Sequence, residues 1–206
     1  MSSILTPRAR PDVDLAEATL VGESYGRLSR YRLRHKLFSG EWSEVMSRDC
    51  FDSGHAVILL PYNPERDEVV LIRQFRTGPW AAGAEPWTLE CVAGRLDKES
   101  ASAEETARAE AREEAGLTVL ALEAIPGFFT SPGIFAEHLS AYCGRIEEAS
   151  AGIHGLASEH EDIRAETYRA ERAIEMALQG AITAGPSLVC LFWLALNHDR
   201  LRALWR

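Results

Sequence analysis

The sequence predicts an α+β protein, with a mixed β-sheet held between helices and a smaller antiparallel β-domain ahead of it. Three observations carry this. Apolar runs of strand length recur from His55 to Tyr168, separated by Gly, Pro, Asn and Asp turns. Segments at Ser102–Gly116, Glu171–Gln179 and Pro186–Arg206 carry helix signals instead. Residues 20–50 have a third texture, in which apolar and basic residues alternate.

The 206 residues fit one large domain, or one domain with a smaller addition, and 46% apolar content suffices for a core. A net charge of −9 argues against nucleic acid as a partner, because that needs a basic footprint. A polyanionic substrate then requires local cations that override the global field. Cys50, Cys91, Cys143 and Cys190 form no metal-binding or redox spacing, so free thiols of a reducing cytoplasm are expected. The N-terminus lacks a signal-peptide core, and no apolar run nears the roughly 20 residues that span a bilayer. No internal repeat is present.

Taken in order, residues 1–15 are polar with Pro and Arg, and read as a flexible tail. Leu28, Tyr31, Leu33 and His35 alternate ahead of a turn at Ser39-Gly40, which predicts antiparallel strands within a β-domain over 16–53. That segment is too small to bury a core alone, so it leans on the main domain or on a second subunit. The main domain runs over 54–206. His55–Pro61 is a buried strand, Asn63–Asp67 a turn, and Glu68–Phe75 the returning strand. Thr77–Pro86 reads as a loop, and Trp87–Ala93 as a run leading to a glycine turn at Gly94. Val119–Glu123 and Gly127–Phe129 are short strand candidates, and His138–Arg145 is a longer one. Residues 144–162 read as a small-residue, acidic loop, after which Arg164–Tyr168 returns to strand.

The stretch from Gly94 to Leu117 organises the rest. Ser102 with Glu105 three residues later reads as a capping box, and Gly116 as a helix stop. Glu110, Glu113 and Glu114 fall at helical offsets of three and four, so like charges crowd on neighbouring positions. A hard divalent cation with oxygen ligands offsets that repulsion. The plainer alternative is a solvated helix whose acids pair with Arg108 and Arg112.

The whole arrangement, ending in AEAREEAGL, resembles the Nudix box, the motif of magnesium-dependent pyrophosphatases. Beyond the box, RLRHKLFSG, GHAVILLPYNPERDEVVLIRQFR, EPWTLECVAG and GIHGLASEHEDIR are similar to bacterial ADP-ribose pyrophosphatases. Two departures stand out. Ala109 replaces the box arginine, and Ser100 falls where the box has a glutamate, in a loop one residue longer. Losing both partners of that pair leaves no orphaned charge; alternatively, Glu99 with Arg108 or Arg112 rebuilds it.

The resemblance implies a Nudix-type α/β/α sandwich with an N-terminal β-domain that forms a homodimer. It implies Mg²⁺, or Mn²⁺, held by Glu110, Glu114, Glu161 and the Ala93 carbonyl, with Glu113 auxiliary. It implies Glu159 as the base for an attacking water. Arg76 would contact substrate phosphate, Tyr25 would stack on adenine, and Glu137 would approach the sugar or the metal. Arg48, Asp52 and Arg95 complete the substrate-binding set. The implied reaction is cleavage of ADP-ribose to AMP and ribose 5-phosphate. Its alternatives are another nucleoside diphosphate sugar, such as GDP-mannose, or a non-catalytic ADP-ribose-binding module.

Overall fold

The computed structural model describes residues 7, 9–96 and 102–205, except the side chain of Glu159. Two compact units emerge: residues 1–55 with 129–138, and residues 56–128 with 139–206. The division differs from the expected boundary at 53/54 by adding the segment 129–138 to the first unit. Most of the tail, residues 1–6 and 8, lies outside the described residues.

The first unit is a three-stranded antiparallel sheet of β1 (Val13–Glu23), β2 (Arg27–His35) and β3 (Met46–Asp52). Strand β1 begins inside the stretch read as tail. Charge pairs link the three strands. Arg34 stands opposite Asp14, Arg30 opposite Asp49 and Arg27 opposite Asp52, with N···O distances of 2.7–2.9 Å. Opposite charges directly across a ladder stabilise it modestly, by roughly 0.2–1 kcal/mol per pair. The basic texture of residues 27–34 is therefore a set of cross-strand partners. The segment 129–138 joins this unit through β3: Phe51 N–H donates to Ile134 O (2.8 Å), Ala136 N–H donates to Phe51 O (3.0 Å), and the Phe51 and Phe135 rings meet edge to face.

The second unit is built on an eight-stranded mixed sheet. Strands β4 (Ala56–Asn63) and β5 (Glu68–Phe75) form a hairpin that pairs only at its closed end, Tyr62 with Val69 and Asn63 with Glu68. After the short helix α1 (Thr77–Ala81), in the stretch read as loop, the chain returns as β6 (Trp87–Glu90) and β7 (Val92–Arg95). These are not one strand. The run breaks at Cys91, β6 pairing with β5 and β7 with β4, so it fills the mouth of the open hairpin. That wedge delivers Gly94 against Glu110 of helix α2 (Ala103–Ala115).

The remaining elements are β8 (Ala121–Phe129), β9 (His138–Arg145), β10 (Gly152–His154), a 3₁₀ turn at Ala157–Glu159, β11 (Ile163–Arg169), α3 (Ala170–Leu178) and α4 (Gly185–Trp205). The path runs β10-β11-β5-β4-β9-β8, with β4 and β9 parallel. The two expected pieces around Pro126 are one strand. Strand β8 ends the path, where a residue without an N–H is tolerated.

Strand β4 is buried throughout, and its alternation feeds two cores. Ile58, Leu60 and Tyr62 pack with Ala173, Ala177, Leu191 and Leu194 of α3 and α4. Val57 and Leu59 pack with Ala107, Ala111 and Ala115 of α2. The fold class is therefore α+β, a mixed sheet between helical layers. Cys91, Cys143 and Cys190 are buried free thiols, and Cys50 is half-buried. Among the described residues, no helix is long and apolar enough to cross a membrane.

Candidate active site

Helix α2 starts and stops as its sequence dictates. The Ser102 hydroxyl accepts from Glu105 N–H, the Glu105 carboxylate accepts from Ser102 N–H, and Gly116 closes the helix at φ +63°. The alanines at 107, 111 and 115 face the sheet, which fixes how the acids divide. Glu114 is buried, Glu110 half-buried and Glu113 exposed. The Arg108 guanidinium donates to the Val119 carbonyl. Glu99 and Ser100 lie outside the described residues.

Glu114 is the centre of the site. Its Oε2 accepts from Ala93 N–H at 3.0 Å, so β7 holds the carboxylate in place. Burial pushes its pKa well above the ordinary carboxylate range. The Ala93 amide works against this shift, Glu110 and Glu161 add to it, and Arg76 opposes it. Three carboxylates and one guanidinium thus act on one another here.

Glu110 lies against Gly94 so closely that a Cβ there would stand 1.9 Å from its Oε1 and 2.4 Å from its Cγ. The box glycine is required for this approach, since its φ is unremarkable. Gly94→Ala should therefore displace the Glu110 carboxylate and lower turnover tenfold or more, roughly the effect of a 1.4 kcal/mol loss, with little change in thermal midpoint. Unchanged kinetics would contradict this reading.

The loop after β10 is docked on α2, with Gly155 N–H donating to the Glu113 carbonyl at 3.1 Å. Gly155 holds φ +100°, and a Cβ there would meet Glu161 Cβ at 2.8 Å. Glu161 Oε2 accepts from Leu156 N–H (3.1 Å) and Glu161 N–H donates to Leu156 O (3.3 Å), which fixes a side chain whose charge acts on Glu114. Glu159 ends the 3₁₀ turn beside an exposed His160 at φ +57°.

Arg76 follows β5 and is held side-on by Glu90 of β6. Its Nε donates to both carboxylate oxygens (3.1 and 3.2 Å) and its Nη2 to Oε2 (2.8 Å). Glu90 is 9% exposed and also accepts from the Thr88 hydroxyl. Sequence reading missed Glu90. The signal available was a lone acid inside the apolar run WTLECVA, since a buried charge requires a partner.

Arg95 ends β7 and is exposed. Four expected residues belong to the first unit. Tyr25 lies in the turn joining β1 and β2 and is 71% exposed, so it is not part of a core there. Arg48 is exposed, its Nη1 donating to the Ser47 carbonyl (2.9 Å). Asp52 is buried, accepting from Arg27 Nη2 (2.7 Å) and Gly54 N–H (3.0 Å), contacts that serve the fold of β3. Glu137 is half-buried, and its carbonyl accepts from Thr130 N–H.

Among the described residues, no three Asp, Glu, His or Cys side chains gather in metal-ligating geometry. The donor chemistry nevertheless fits a hard divalent cation. Its central candidate is Glu114, whose proton affinity is raised by burial and by the charges of Glu110 and Glu161, an effect that an added positive charge would oppose.

A buried, amide-clamped carboxylate flanked by two others and a guanidinium sits beside Gly94, which is a paired residue of strand β7 and not the turn its sequence suggested, and this donor set suits a hard cation. The family model for the NUDIX domain matches residues 52–185, and the chain belongs to the Nudix family. Members of this family typically use divalent metals. The chain is 41% identical over 195 residues to an ADP-ribose pyrophosphatase of Escherichia coli (strain K12), covering 94% of this chain and 93% of that protein. It is 34% identical over 158 residues to a GDP-mannose pyrophosphatase of Cronobacter sakazakii (strain ATCC BAA-894), covering 76% and 79% respectively. A crystal structure of an ADP compounds hydrolase superposes with a TM-score of 0.70, covering 97% of this chain and all of that one at 17% identity, which bears on the fold.

Proposed function

We propose that this chain hydrolyses the diphosphate bond of ADP-ribose to AMP and ribose 5-phosphate, using Mg²⁺ or Mn²⁺. The observation that carries the proposal is Glu114: buried, held by the Ala93 amide, and set against Glu110, Glu161 and Arg76. The relative named ADP-ribose pyrophosphatase, aligned over nearly the whole chain, supports the substrate.

Glu110, Glu114, Glu161 and the Ala93 carbonyl would hold the cation, with Glu113 at the exposed margin. When bound, such a cation neutralises phosphate oxygens and lowers the pKa of water. Glu159 takes the proton from the attacking water, from a loop that Gly155 anchors to α2. The Arg76 guanidinium, oriented by Glu90, binds a phosphate oxygen. Tyr25, exposed at its turn, stacks on adenine. Arg48, Asp52, Arg95 and Glu137 contribute further substrate contacts.

GDP-mannose is the second reading, supported by the relative of that name. Side-by-side kcat/KM values separate the two. ADP-ribose should be preferred, and Tyr25→Ala should reduce that preference by roughly tenfold, in line with about 1–3 kcal/mol per stacked base. A preference for GDP-mannose in the wild type would transfer the proposal to that substrate.

The first unit supports a homodimer. One face of its sheet carries Val13, Leu15, Tyr31, Leu33 and Met46 around a groove of about 760 Å³, and Phe38 and Val45 are exposed nearby. A second copy covering that face would bury them, and a monomer mass in sedimentation would contradict this.

A further inference from the structure

Strands β5 and β6 present a row of polar side chains on the α2 face of the sheet. Alternation along β5 puts Gln74 and Arg76 on the same face as Ile72, which packs with α2. On β6, Thr88 stands opposite Gln74, and Glu90 lies on the same face. Three members of this row are already joined, since Arg76 and Thr88 both donate to Glu90. Gln74 is the exception. It is 8% exposed, and among the described residues its Nε2 has no hydrogen-bond partner. A buried donor left unpaired costs stability, so it is retained only where something else repays the cost.

We propose that Gln74 is a substrate-binding residue. Its amide N–H donates to a phosphate or ribose oxygen of the substrate beside the Arg76 guanidinium, with Glu90 and Thr88 holding that guanidinium in register. The inference rests on the proposed hydrolysis of a nucleoside diphosphate sugar. Arg76 supplies charge, and Gln74 supplies a neutral donor that needs no counter-charge when the site is empty. A site that expects a hydrogen bond penalises its loss strongly, because the substrate oxygen then loses its water and gains nothing.

The test is Gln74→Met, which keeps length and volume while removing the amide. If Gln74 binds substrate, kcat/KM for ADP-ribose should fall roughly 10- to 100-fold, the range expected for one polar contact to a charged group. The thermal midpoint should hold or rise, because the orphaned donor is gone. Binding of ADP-ribose to metal-free protein, followed by calorimetry, should weaken in parallel. Gln74→Glu gives an independent reading: the same length with a carboxylate should repel the diphosphate and lower binding further than methionine does. Wild-type kinetics and binding in Gln74→Met would overturn the inference and leave the hydrolase reading intact. A wild-type protein that neither binds nor cleaves any nucleoside diphosphate sugar would overturn both.

Discussion

Glu114→Gln should abolish measurable ADP-ribose hydrolysis, a loss of about a thousandfold or more, while the protein remains folded. A cation at a diphosphate contributes several kcal/mol to the transition state, and each 1.4 kcal/mol is a factor of ten. Glutamine keeps an oxygen that can accept from Ala93 N–H and removes the charge that holds the cation. The same substitution has a pH signature. Burial, and secondarily Glu110 and Glu161, raise the folded-state pKa of Glu114 well above its ordinary 4.5. The folded, metal-free chain therefore binds this proton more tightly than the unfolded chain does. The stability from this group is complete below the unfolded pKa and is lost as pH rises through the folded one. Thermal midpoints of chelator-treated wild type should decline over that window relative to Glu114→Gln, and Mg²⁺ should restore them. A relative rise would contradict the burial argument.

The second large effect belongs to Arg76. Among the described residues, Arg76→Ala leaves the Glu90 carboxylate buried with only the Thr88 hydroxyl. Orphaning a buried charge costs roughly 3–5 kcal/mol, but Arg76 has a side chain 43% exposed, so water shares the site. A loss of about 2–3 kcal/mol is the discounted expectation. Adding Glu90→Gln should recover much of the stability, because the buried charge is gone. It should not recover activity, which should stay roughly 10- to 100-fold down in kcat/KM for want of the guanidinium. Denaturant midpoints and kinetics on the two single variants and the double variant separate these effects. Recovery of activity in the double variant would mean that Arg76 serves only the fold.

Much of this was legible in the chain itself. The capping box, Gly116 and the acid spacing specify α2 locally, and the structure contains each of them. The continuous apolar character of residues 55–61 marks a strand, which the structure contains as Ala56–Asn63, buried on both faces. What escaped reading depends on partners distant in sequence. Strand β1 is mostly exposed, and its acids make sense only opposite the arginines of β2. Helix α1 is five residues in a Gly/Pro-rich stretch, too short for periodicity to register. The break at Cys91 follows from the opening of the β4–β5 hairpin, a tertiary fact that propensity does not encode. In the site, helical spacing alone does not separate the charges at positions 110, 113 and 114, and it was the resemblance to the Nudix box that set Glu113 apart as auxiliary. Only packing against the sheet separates a buried Glu114 from an exposed Glu113. Glu90 and Gln74 escaped for the same reason, since their roles are defined by burial and by what does or does not pair with them.

The most direct test is AMP release from ADP-ribose as Mg²⁺ is returned to chelator-stripped protein. The account predicts no release without metal, then AMP and ribose 5-phosphate in equal amounts at a rate that saturates with Mg²⁺. Tight binding of ADP-ribose with no AMP at any concentration of Mg²⁺ or Mn²⁺ would contradict it, and would make this chain a binding module whose altered box, at Ala109 and Ser100, no longer supports hydrolysis.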